Sequence, residues 1–174
     1  KALGSDLAFI GRLDGSRGDL ARTIAVHQDG ELRPNFEYEL AQTPCGKVVS
    51  RGTCVYPRNV ASLFPDDRVL SDERIEAYIG APLLDSNGEP SGVIVALFRE
   101  PVADVSTAED LLKIFASRAA AELERARKER ELARSEQRYR ELYHRTPVML
   151  HSIDREGRLI AVSDYWLQYL GYTE

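Results

Sequence analysis

Ala77-Tyr78-Ile79-Gly80-Ala81-Pro82-Leu83-Leu84, then Asp85-Ser86-Asn87-Gly88, then Ser91-Gly92-Val93-Ile94-Val95-Ala96-Leu97-Phe98-Arg99 reads as a strand, a tight turn and a partner strand. Asn-Gly between two apolar runs is the strongest hairpin signal in the chain. Working outward toward the N-terminus, Leu7 to Leu13 is a strand closed by a turn at Asp14-Gly15-Ser16, and Leu20 to His27 is a second strand ending in a turn at Asp29-Gly30. Phe36 to Leu40 alternates apolar and acidic residues, which suits a short strand or an extended edge over a pocket. Thr43-Pro44 marks a helix start, with Thr as the cap and Pro at the first helical position. Gly52 follows that helix, and Thr53-Cys54-Val55-Tyr56 leads into a loop at Pro57. Asn59 to Glu73, with Phe64-Pro65-Asp66-Asp67 inside it, suggests short helices. Strands, a helical and looped insertion, a hairpin and a covering helix make an α+β fold, an antiparallel sheet flanked by helices.

On the C-terminal side of the hairpin, a long charged helix is expected from Ser106 toward Tyr143, with no Gly or Pro until Pro147. Ser106 and Glu109 have capping-box spacing. Leu111, Leu112, Ile114, Phe115, Ala119 and Leu123 form an apolar face, which then narrows to Ala126, Leu132, Ala133, Tyr139 and Leu142. Glu124/Lys128 and Glu136/Arg140 stand four apart with the acid first. A helix this polar cannot lie buried, and one this long rarely stands alone in water. Leu112, Ala116, Ala119, Leu123 and Ala126 alternate by four and three, as a coiled-coil seam does, so a dimer of parallel helices is expected. Leu132, Glu136, Tyr139 and Tyr143 repeat the spacing out of register, a break that locally unwinds a supercoil. The bland alternative is a solvated helix that extends past its domain.

The 174 residues suffice for one domain plus a fragment, and 43% hydrophobic content suffices for a core. A net charge of -5 and a pI near 5.3 argue against an obligatory nucleic-acid partner. No apolar run reaches membrane-spanning length and no signal peptide is visible, so a cytoplasmic location without membrane contact is expected. The chain reads as a piece of a larger protein.

Tyr38-Glu39-Leu40 through Thr43-Pro44-Cys45, Cys54-Val55-Tyr56-Pro57, Phe64-Pro65, Tyr78 to Leu83 and Gly88…Gly92 together resemble a GAF domain. The likeness is greatest to the bacterial GAF sensors that precede PAS domains in signalling kinases and cyclic-dinucleotide enzymes. The chain departs from that pattern at its start, where only a stub before Gly4 could supply the usual opening helix, so one face of the sheet is expected to be undercovered. The tail, from Tyr139-Arg140-Glu141-Leu142-Tyr143 through Thr146-Pro147-Val148-Met149-Leu150 and Leu159 to Ser163, to Trp166 and Leu170-Gly171-Tyr172, resembles the opening of a PAS domain. The resemblance implies a GAF domain over residues 1–105, a closing helix that continues as a signalling linker over 106–143, and a truncated PAS segment over 144–174.

Candidate chemistry is sparse. Cys45 and Cys54 can be read as a redox pair, as ligand-holding residues or as small core residues, expected to be reduced and unlinked. They lack metal-site spacing, and no bilin-type Cys-His or haem signature is present, so no cofactor is assigned. His144-Arg145-Thr146-Pro147 has the wrong Pro spacing for a kinase phosphoacceptor box. No nucleophile–base pair or phosphate loop supports an enzyme. The resemblance implies a small-molecule pocket under the loops between Phe36 and Leu83, with Phe36, Tyr38, Cys45, Cys54, Tyr56, Phe64, Tyr78 and Pro82 as candidate ligand contacts; the same aromatics could equally fill a core. The function expected is a sensory module that relays a cue through a dimeric helix to downstream domains, the alternative being a structural dimerisation module with no ligand.

Overall fold

A computed structural model of the chain describes residues 3–14, 19–145 and 147–172, so Gly15 and Ser16 of the first expected turn lie outside the described residues. Two compact units are present, Lys1–Glu124 and Arg125–Glu174. The first is built on seven antiparallel strands: β1 (Leu7–Leu13), β2 (Leu20–Gln28), β3 (Glu31–Arg33), β4 (Glu37–Glu39), β5 (Cys54–Tyr56), β6 (Ala77–Leu84) and β7 (Pro90–Phe98). Their spatial order is β3-β2-β1-β7-β6-β5, and β4 shares the outer edge of β2 with β3. Strands β3 and β5, three residues each, add to the expected strands, β3 directly after the Asp29-Gly30 turn and β5 directly before the loop at Pro57.

The β6–β7 hairpin forms where Asn87-Gly88 indicates, through a wider turn than a two-residue one. Among Asp85 to Gly88 only Gly88 has positive φ, +83°. Its N–H donates to the Asp85 carbonyl at 3.0 Å, and the Asp85 N–H donates to the Glu89 carbonyl at 2.9 Å. The Asp85 carboxylate accepts from the Asn87 and Glu89 amides at 2.8 and 3.0 Å. The register slips between Leu83 and Leu84, which pair with Gly92 and Pro90, and Ser91 becomes a bulge.

Alternation along β6 and β7 creates two cores, one on each face. Tyr78, Val93, Val95 and Leu97 point to the front, under α1 (Pro44–Arg51), α2 (Val60–Leu63) and α3 (Arg68–Asp72). Ala77, Ile79, Ala81, Leu83, Ala96 and Phe98 point to the back, under the start of the long helix α4 (Val105–Arg145). Thr43 caps α1 as expected, accepting from the Gly46 N–H at 3.3 Å.

Helix α4 differs from its expected form in two ways. It starts at Val105, capped by Asp104, whose carboxylate accepts from the Thr107 N–H at 3.1 Å; Ser106 therefore lies inside the first turn and Glu109 instead meets Lys113 at 2.7 Å. Leu112 and Ala116 are 1% and 5% exposed against the chain's own sheet, with Ala119 and Leu123 partly buried beside them. The apolar stripe that resembled a dimer seam is thus spent, in its first half, on β6 and β7. Ile114 and Phe115 remain exposed. The undercovered face has a counterpart in an open groove of about 260 Å³ beside α4, with Ala8, Ile94 and Phe115 in its walls.

The second unit contains the end of α4, the hairpin β8 (His151–Ile153) and β9 (Leu159–Val162), and α5 (Asp164–Leu170). Ser163 organises it: its buried hydroxyl donates to the Val148 carbonyl at 2.8 Å and accepts from the Leu150 and Trp166 amides at 3.1 and 3.2 Å. Tyr143 and Ser152 share a hydroxyl–hydroxyl hydrogen bond, and His144 Nδ1 lies 2.8 Å from an Asp164 oxygen. Glu136 and Arg140 form no ion pair; Gln137 donates to Glu141 instead, at 3.0 Å. Among the described residues no helix is long and apolar enough to cross a membrane.

Candidate functional site

Under α3, on the front of the sheet, lies a small cavity of about 40 Å³. Strand β1 brings Phe9, α1 brings Cys45, β6 brings Tyr78 and the start of α3 brings Asp67. Phe36 reaches the cavity because Thr23, fully buried in β2, ties the bend between β3 and β4: its hydroxyl accepts from the Phe36 N–H at 2.7 Å and donates to the Phe36 carbonyl at 3.1 Å. Tyr38 projects from β4, and its hydroxyl rests above Gly11 of β1, where a methyl group would collide with it. Phe9, Phe36 and Tyr38 form a mutual triad with ring centroids 5.6 to 5.8 Å apart.

The polar groups in this apolar setting are unequally satisfied. The Tyr78 hydroxyl donates to the Cys45 sulfur at 3.4 Å. Thr43 is used up by its cap and by donation to the Leu40 carbonyl at 2.9 Å. The Tyr38 hydroxyl is buried and makes no hydrogen bond of ordinary geometry. Asp67 is half-buried; it caps α3 by accepting from the Val69 and Leu70 amides at 3.1 and 3.4 Å, both at one oxygen, Oδ1. Burial pushes the Cys45 thiol up to about 12 and raises Tyr38 and Tyr78 above the ordinary phenol range. Burial also raises the Asp67 carboxyl, against the two amides that lower it.

Four of the eight expected contacts, Phe36, Tyr38, Cys45 and Tyr78, come together in the cavity. Tyr56 and Phe64 form an adjoining aromatic layer, 5.2 Å from each other, with Tyr56 6.0 Å from Tyr78. Cys54 is half-buried on β5, its thiol directed at the Gly52 carbonyl 3.4 Å away, and Pro82 borders an open groove with Thr53 and Leu84; neither lines the cavity. Both cysteines are free. Phe9, Thr43 and Asp67 also line the cavity and are not among the expected residues. Phe9 shares the inward alternation of Leu7, and Asp67 ends the Phe64-Pro65-Asp66-Asp67 run already singled out, so each had a visible signal. Among the described residues no cluster of three or more His, Cys, Asp or Glu side chains could hold a metal.

The family model described as GAF domain matches residues 1–124, the whole of the first unit. The chain belongs to the GAF-domain family. No curated protein matches it. Among solved structures, it is similar to the nlh2 GAF domain of A. aeolicus in an inactive state, at 24% identity and TM-score 0.51, over 74% of this chain and 76% of that one. It is also similar to a domain of a putative two-component sensor histidine kinase protein from Sinorhizobium meliloti 1021, at 15% identity and TM-score 0.56, over 76% and 88% of the two chains. A methyl-accepting chemotaxis protein, residues 122 to 287, matches at 20% identity and TM-score 0.55, over 71% and 80%. At these identities the likeness of the GAF domain to its neighbours is one of fold.

Proposed function

We propose that this GAF domain is a regulatory sensory module whose front cavity receives a small molecule and whose helix α4 relays occupancy to the segments that follow. The observation that carries this reading is the sharing of β6 and β7 between two cores. Tyr78 and Leu97 line the cavity, while Ile79 and Ala96, their immediate chain neighbours, hold the start of α4. A side chain that shifts on one face moves the backbone that anchors the other, because close-packed interiors transmit strain. The GAF domain with its closing helix and linker then forms the input, and residues 144–174 the opening of a PAS-like segment. The output lies in a larger cytoplasmic signalling protein, such as a kinase or cyclic-dinucleotide enzyme, and this chain is regulatory rather than catalytic.

The reading includes a homodimer with parallel helices. With Leu112 and Ala116 occupied by the sheet, its seam runs through Phe115, Ala119, Leu123 and Ala126. A second reading, a dimerisation module with no ligand, is favoured by the small cavity volume. One experiment separates them. A thermal-shift screen selects a stabilising small molecule, and the distance between spin labels at Arg130 of two protomers, in a Cys54→Ser background, is measured with and without it. A ligand-dependent change supports the relay. A dimer that no small molecule stabilises supports the structural module, and a monomer overturns both.

A further inference from the structure

We infer that the cavity under α3 accepts a small organic cation, an alkylammonium or guanidinium group, held between the Asp67 carboxylate and the Tyr38 hydroxyl against the Phe9–Phe36–Tyr38 aromatic wall. This rests on the reading of the cavity as a ligand site and names the class of ligand. Three features point to a cation. Asp67 is a half-buried carboxylate with no cation within ion-pair reach among the described residues, and only one of its two oxygens serves the α3 cap. An unpaired charge withdrawn from water is costly, and a bound cation offsets that cost. The Tyr38 hydroxyl, on the same cavity, is buried with no hydrogen bond of ordinary geometry among the described residues, the Cys45 thiol being its polar neighbour, and it offers a second acceptor for a ligand N–H. The three rings present π-electron density, which attracts cations and repels anions.

The surroundings agree with this assignment. Among the described residues no Lys, Arg or His lines the cavity, so a phosphate or carboxylate would meet the Asp67 charge with only the neutral groups of Thr43, Cys45, Tyr38 and Tyr78 to offset it. Asp67 lines the cavity together with Tyr38 and Cys45. A volume of about 40 Å³ exceeds that of one water, which needs ~10–15 Å³, yet holds only a few non-hydrogen atoms. A methylammonium- or guanidinium-sized head fits that space, whether free or carried on a larger molecule.

The test follows the Phe and Tyr ring signals by NMR during titration with methylammonium, guanidinium, acetate and acetamide at constant ionic strength. Asp67→Asn preserves the α3 cap, because Asn is as good a cap as Asp, and removes the charge. Tyr38→Phe serves as the second variant, removing the other acceptor. Saturable shifts of Phe9, Phe36 and Tyr38 by a cation are expected, weakened by about tenfold or more in Asp67→Asn, as for loss of a charged hydrogen bond, and several-fold in Tyr38→Phe. If acetate or acetamide shifts these rings as strongly, or if Asp67→Asn binds the cation unchanged, the ligand class is overturned while the cavity remains a binding site. If no probe shifts them, both the class and the ligand-site reading fall.

Discussion

Tyr38 and Gly11 meet across the front of the sheet, and that contact carries a falsifiable energy. A Cβ on Gly11 would stand 2.5 Å from the Tyr38 hydroxyl but 3.5 Å from its ring carbon Cζ. Gly11→Ala is therefore expected to destabilise the domain by about 1–3 kcal/mol through overpacking. Tyr38→Phe in the same chain should restore most of that loss. A double-mutant cycle in urea measures the coupling, and strictly additive costs would show that the hydroxyl does not occupy that place. Burial of Cys45, Tyr38 and Tyr78 also fixes a pH dependence. Each native group keeps its proton above the pH at which the unfolded chain releases it, so the native state binds more protons in that window. Stability should fall as pH rises from about 9, the ordinary thiol value, through about 12 for Cys45, with the phenols adding from about 10 upward. Tyr78→Phe should make the alkaline fall in urea-unfolding free energy shallower; an unchanged slope would place that phenol in solvent.

Element by element, the same apolar periodicity can serve different partners, and this marks where sequence reading succeeds and stops. The β6–β7 hairpin was legible because alternation and the Asp85–Gly88 turn act within a few residues. Strand β3 was not, because its three residues, with Leu32 80% exposed, owe their extended form to pairing with β2. Leu112 and Ala116 fit a coiled-coil stripe and a sheet-facing stripe equally well, since both need spacings of three and four; only the packed sheet decides. Leu112→Ala is accordingly expected to cost about 2–5 kcal/mol of domain stability, whereas exposed Leu132→Ala should cost under about 0.5 kcal/mol. Asp104→Ala should cost about 1 kcal/mol as a lost cap, and Ser106→Ala much less; thermal unfolding of the set checks both pairs. Arg99 joins four segments, donating to both carboxylate oxygens of Asp29 at 2.8 and 3.3 Å and to Glu73 at 2.9 Å, while its own amide donates to Asp6 at 2.7 Å. Because Glu73 ends α3, Arg99→Ala should speed hydrogen exchange at residues 68–76 and alkylation of buried Cys45. Unchanged rates would leave Arg99 a surface ornament. The site was half legible for a related reason: rings in the strands and in the Thr43-Pro44-Cys45 start showed in sequence, whereas the meeting of Asp67 with Tyr38 depends on how α3 folds over the sheet.

For the whole molecule, the junction within α4 is the place where the relay reading is most exposed to test. The family match and the first compact unit both end at Glu124, yet the helix continues to Arg145. One residue inserted between Ala126 and Leu132 rotates everything after it by about 100° on a helix of 3.6 residues per turn. Insertion should leave the unfolding temperature of the GAF domain unchanged and alter the output of the intact protein strongly. Unaltered output would make the helix a tether.

The anchoring of α4 by its first turns has a mechanical consequence. Leu112 and Ala116 act as a fulcrum for the part of α4 that belongs to the first unit, whose last residue, Glu124, stands eight residues past Ala116, or about 12 Å at 1.5 Å per residue. A tilt of one degree at the fulcrum sweeps Glu124 through about 0.2 Å, so a tilt of five or six degrees moves it by about 1 Å. In the proposed relay the displacement delivered at Glu124 would therefore grow with the number of residues past the fulcrum, a gain set by the length of the helix rather than by the chemistry of the cavity.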